Sequence, residues 1–112
     1  MTAAQIATAL LEDGFNFSPE AEQEIWAELF PPSFGLADEF PFDPQGIKRL
    51  LAGLDERSLT ALWYRYENRS TYAATGARIP AMRKPGKFFS RERAYALIRQ
   101  ALRIMRRRYT SQ

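Results

Sequence analysis

Apolar residues recur at helical spacing along most of the chain. Ala3, Ile6, Ala7 and Leu10 follow an i, i+3, i+4, i+7 rule, and Gly14 closes the run. Ser18-Pro19 opens a second helix with a capping residue followed by proline at the first helical position. Its apolar stripe is Ala21, Ile25 and Leu29, while Glu20, Glu24 and Glu28 line another face. Pro31-Pro32 ends it near Phe30. Residues 31–43 form a loop rich in proline, and Phe34, Phe40 and Phe42 predict that it lies packed across the helices. Asp43-Pro44 caps a third helix with Ile47, Leu50, Leu51 and Leu54 at core spacing. Asp55 caps a fourth, with Leu59, Leu62, Trp63 and Tyr66 repeating the pattern.

A short fifth helix starts at Ser70 or Thr71 and ends near Gly76. Residues 77–89 contain Pro80, Pro85 and Gly86 and read as a basic loop. Ser90 then caps the longest helix, about Arg91–Tyr109, whose apolar face is Ala94, Leu97, Ile98, Ala101, Leu102, Met105 and Tyr109. At 100° per residue Glu92, Tyr95, Arg99, Arg103 and Arg106 form a separate stripe. No segment alternates with period two, and there is no valine. The expected fold is all-α: a single compact domain of about five to six helices.

Charge changes this picture. Residues 1–47 hold Glu12, Asp13, Glu20, Glu22, Glu24, Glu28, Asp38, Glu39 and Asp43 and no lysine or arginine, whereas residues 48–112 hold all 16 basic residues. The two parts carry −9 and +12, which the net charge of +3 conceals. A basic half is the electrostatic footprint of a nucleic-acid binder. The acidic half, through Glu20, Glu24 and Glu28, is a candidate surface for a protein partner, or a shield against non-specific nucleic-acid binding. The alternative is that the two halves attract each other within one fold.

The absence of cysteine and histidine excludes disulfides, thiolate metal sites and histidine-dependent triads. Carboxylates at Glu20, Glu24 and Glu28 can in principle ligate Mg²⁺, but they lie along one helix rather than converging from several elements. No enzyme, metal or cofactor is expected. No apolar run spans a membrane or builds a signal-peptide core, which leads to an expectation of a cytoplasmic protein.

Residues 54–109 resemble region 4 of bacterial sigma factors, a helix-turn-helix domain that reads promoter DNA. The resemblance rests on Ser90-Arg91-Glu92-Arg93, then Ala101-Leu102-Arg103 and Arg106 in the same register. Leu54-Asp55-Glu56-Arg57, Arg65-Tyr66, Thr71-Tyr72, Gly76 and Arg78-Ile79 match the preceding helices. Two departures stand out. The family has a tight turn where this chain carries the ten residues Pro80–Phe89, and Tyr95 and Ala96 replace the Arg and Gln common in the family. The resemblance implies that the last helix enters the major groove, with Arg91, Glu92 and Tyr95 facing bases and Arg93, Arg99, Arg103 and Arg106 adding contacts. Whether the insertion keeps the helix-turn-helix geometry is left open.

Arg78, Arg83, Lys84 and Lys87 are candidate phosphate contacts, and Phe88-Phe89 either stack on bases or staple the next helix to the core. Trp26 and Trp63 read as core. The expected function is a small DNA-binding transcription regulator, similar in layout to phage regulators, with duplex DNA and bacterial RNA polymerase as partners. The alternative is a phage-encoded interaction protein that inhibits or retargets a host polymerase or another nucleic-acid-processing complex. A dimer through the first two helices is a further possibility, which would set two recognition helices about one DNA turn apart.

Overall fold

The computed structural model describes residues 17–32 and 36–111. The first expected helix, with Ala3, Ile6, Ala7 and Leu10, lies outside the described residues, as does Phe34. Among the described residues six α-helical segments occur in chain order: α1 (Pro19–Leu29), α2 (Leu36–Glu39), α3 (Pro44–Ala52), α4 (Glu56–Leu62), α5 (Tyr72–Gly76) and α6 (Arg91–Thr110). The fold is a single all-α domain, and no strand occurs among the described residues.

Local chemistry sets these boundaries. The side chains of Ser18, Asp43, Asp55, Thr71 and Ser90 each accept the backbone N–H three residues on, at 2.9–3.2 Å. Each satisfies one of the donors that a helix start leaves orphaned. Proline occupies the first turn of both α1 and α3. At the end of α1 the Phe30 N–H still bonds the Trp26 carbonyl, but Pro31 and Pro32 have no N–H with which to continue.

The fourth helix departs from its expected phase. After Leu62 it widens into a π-helical turn, Trp63–Glu67, with the Asn68 N–H reaching back to the Trp63 carbonyl at 3.0 Å. The wider turn rotates the following side chains relative to an α-helix. Tyr64 and Tyr66 are therefore both buried, while Trp63, expected in the core, is only half-buried. Burial pushes the Tyr66 phenol far above its ordinary pKa.

The hub is α6, which contacts α1, α3, α4 and α5. Its buried side chains are Ala94, Ile98, Ala101, Leu102 and Met105, and the last four join Ile25, Leu29, Ile47, Leu51, Leu59 and Leu62 in one core. Residues 31–43, expected as a loop, include the short helix α2, and Phe40 and Phe42 pack against the core as expected. Phe40 stacks on Phe30 at 4.6 Å, and its carbonyl accepts the Trp26 indole N–H at 3.0 Å. Tyr109, near the end of α6, sits edge-on to Trp26 at 4.9 Å and donates its hydroxyl to Asp43 Oδ2 at 3.1 Å. The acidic N-terminal part and the basic helix are thus one packed body over the described residues.

Candidate nucleic-acid interface

The faces of α6 follow from its wheel. Opposite the buried arc lie Glu92, Arg93, Ala96, Gln100, Arg103 and Arg107, all exposed. Arg103 and Arg107 make no ion pair among the described residues. Arg91 and Glu92 approach each other at 3.7 Å with both side chains about three-quarters free, a contact of negligible strength. Tyr95, 49% exposed, stands at the edge of this face. Its ring meets Tyr72 edge-on at 5.1 Å, and the Arg65 guanidinium lies 4.2 Å over Tyr72.

The flank of α6 that faces α1 has a different role. Arg99 Nη1 pairs with Glu28 Oε2 at 3.3 Å. Arg106 donates through Nε to the Leu29 carbonyl at 2.6 Å and through Nη2 to the Glu28 carbonyl at 3.1 Å. In a continuing helix the Glu28 carbonyl would take the N–H of residue 32, and Pro32 has none. Arg106 supplies that donor from another element. Arg108 does the same at the end of α3, donating to the Gly53 carbonyl at 2.9 Å. Of the run Arg106-Arg107-Arg108, only Arg107 is left without a partner among the described residues.

The acidic row of α1 is likewise engaged. Glu24 Oε1 lies 2.7 Å from Arg69 Nη2, and Glu28 holds Arg99. Glu22, buried, faces Lys48 at 3.6 Å. Glu20 alone of the proposed partner row Glu20, Glu24 and Glu28 makes no ion pair among the described residues. The attraction between the −9 and +12 parts therefore operates inside the molecule at these positions.

Residues 80–89, ahead of α6, close back on themselves. The Phe89 N–H bonds the Ile79 carbonyl at 2.9 Å, the Ala81 N–H bonds the Lys87 carbonyl at 2.9 Å, and Pro80 and Phe88 form an antiparallel bridge. The segment leaves and returns at one point as a small hairpin, turning at Gly86, whose φ of +78° suits glycine. Below its base, Gly76 lets α5 approach the start of α6. A Cβ there would come within 2.5 Å of the Phe89 carbonyl oxygen and 2.8 Å of that of Ser90. The hairpin exposes Arg83, Lys84 and Lys87 as a projecting basic element, and Arg78 is exposed before it. Phe89 is half-buried against the core, in keeping with a staple, whereas Phe88 is 55% exposed.

Three residues of this surface escape a linear reading. Gln100 and Arg107 lie at the centre of the outward face, and the wheel alone points to them once the buried arc is used as its reference. Arg57, in the first turn of α4, comes within 5.7 Å of the Phe89 ring through tertiary packing that leaves no trace in the sequence.

The surface suits binding to a polyanion through guanidinium and amide groups. No group of three or more acidic residues able to hold a metal occurs among the described residues, and no helix among them is long and apolar enough to cross a membrane. Comparison with protein-family models, with curated proteins and with solved structures finds no match.

Proposed function

We propose that this protein binds duplex DNA through the outward face of α6 and acts as a small transcription regulator. The observation that carries the reading is the selective pairing of its arginines. Arg99, Arg106 and Arg108 are engaged by α1 and α3, while Arg103 and Arg107, with Gln100 between the helix start and Arg103, project outward without a counter-charge among the described residues. Glu92 and Arg93 extend that face to the N-terminal turn, the part of a recognition helix that reaches base edges, and Arg91 is exposed beside it. Arginine and glutamine are the side chains that pair with guanine and adenine edges respectively, and the distal arginines suit backbone phosphates.

The closed hairpin supports a helix-turn-helix reading, because it lets α5 abut α6 as a short turn would. The resemblance to sigma region 4 adds bacterial RNA polymerase as the proposed protein partner. The other reading, an acidic helix that imitates nucleic acid, is disfavoured by the pairing of Glu24 with Arg69 and of Glu28 with Arg99.

The test is fluorescence anisotropy of a labelled duplex of about 25 base pairs over a salt titration. Binding that weakens steeply with salt, with a slope shallower by about 2 for Arg103→Ala/Arg107→Ala, is expected. No binding at low salt refutes the proposal.

A further inference from the structure

The hairpin and the starts of two helices enclose a second basic feature beside the outward face of α6. Arg57 comes from the first turn of α4, Arg93 from the first turn of α6, and Arg83 and Lys84 from the hairpin. Together with Ala81 and Met82 they line a shallow cavity of about 330 Å³, and no carboxylate contributes to its wall. The guanidinium groups of Arg93 and Arg57 lie 4.2 Å and 5.7 Å from the centre of the Phe89 ring. A half-buried aromatic ring thus orients both cations before any ligand arrives.

None of the four cations has an ion-pair partner among the described residues. Gathering like charges without a counter-charge is unfavourable, and a bound anion relieves it. Planar guanidinium pairs match the oxygens of a phosphate. Met82, 78% exposed, adds an apolar wall beside the cations, which suits a sugar attached to that phosphate better than a bare ion.

Building on the DNA-binding reading, we propose that this cavity clamps one backbone phosphodiester of the duplex whose groove α6 enters. The insertion is then a second contact element rather than an interruption of the helix-turn-helix. Lys87, on the same hairpin, faces the flanking backbone in this arrangement.

The experiment compares Arg57→Ala/Arg83→Ala/Lys84→Ala with Arg103→Ala/Arg107→Ala in the full chain, each checked for helicity by circular dichroism, using the labelled duplex over a salt titration. The clamp predicts that the triple variant loses roughly tenfold in affinity at about 0.1 M salt, with a slope shallower by about 1. Wild-type affinity and slope in the triple variant, alongside a weakened α6 variant, overturn the clamp and leave the α6 reading standing. Absence of duplex binding by the unaltered protein overturns both. Inorganic phosphate, titrated while the Lys84 and Arg93 amide resonances are followed, separates the two sources of the anion. Saturation by phosphate that the duplex cannot displace overturns the assignment to a DNA backbone. Displacement by the duplex supports it.

Discussion

Arg106 completes the end of a helix to which it does not belong: its Nε donates to the carbonyl of Leu29 at 2.6 Å, where Pro31 and Pro32 have ended α1. A second bond, from Nη2 to the Glu28 carbonyl, makes the contact bidentate. Arg106→Ala removes both charge-assisted bonds and leaves the partly buried Leu29 carbonyl unpaired, at a cost of about 2 kcal/mol. Arg106→Lys restores little, since an ammonium lacks the planar fork. Urea denaturation checks the loss. Duplex affinity measured per folded molecule should stay within about twofold of the parent, which separates Arg106 from Arg103 and Arg107.

Gly76 is held to its identity by the backbone facing it. In Gly76→Ala the new methyl meets the carbonyl oxygens of Phe89 and Ser90, which are main-chain atoms and cannot rotate away. We expect a loss of about 2 kcal/mol from the forced separation of α5 and α6. Denaturant unfolding measures it, and faster exchange of the Phe89 amide, which closes the hairpin base, would accompany it.

Neutralising α1 should strengthen DNA binding. In Glu24→Gln/Glu28→Gln the side chains of Arg69 and Arg99 lose their acidic partners and the net charge rises by two. The pairs are solvent-exposed, so stability changes by less than about 1 kcal/mol each. Duplex affinity should rise several-fold at low salt and converge with the parent at high salt. Anisotropy at two salt concentrations is sufficient to see this.

Stability should fall at both ends of the pH range through Asp43 and Tyr109. The Gly46 N–H, and then the Tyr109 hydroxyl, hold the Asp43 carboxyl below its ordinary pKa. Because the folded value is the lower one, this contribution is present above the unfolded pKa of about 4 and disappears as pH falls through the folded value. Burial, and then Asp43, raise the Tyr109 phenol. That contribution is intact below about pH 10 and is lost as pH rises through the raised value. Asp43→Asn keeps a capping side chain for α3 yet should flatten the acid limb of a melting-temperature profile.

Most of the helix starts were legible in the chain because their causes are local, but the short α2 inside the expected loop was not. Ser18, Asp43, Asp55, Thr71 and Ser90 cap where expected, and the 3.6-residue period of α6 defines its buried face. The π turn at Trp63 was not legible, since its phase shift follows from tertiary packing. The destinations of the charges were hidden for the same reason. Arg99 meets Glu28 across 71 residues of sequence, and Arg106 meets Leu29 across 77. One wheel stripe therefore divides into Arg99 and Arg106, which are engaged by α1, and Arg103, which makes no ion pair among the described residues. Residues 80–89 read as loop in the sequence, and only the Ile79–Phe89 hydrogen bond reveals them as a closed hairpin.

Amide chemical-shift mapping of the isotopically labelled protein during titration with duplex DNA locates the binding face residue by residue. Binding through α6 perturbs Glu92, Arg93, Ala96, Gln100, Arg103 and Arg107 and leaves the surface of α1 quiet. Perturbations concentrated on α1 or α3 with the outward face of α6 unmoved, or no perturbation at low salt, would contradict it.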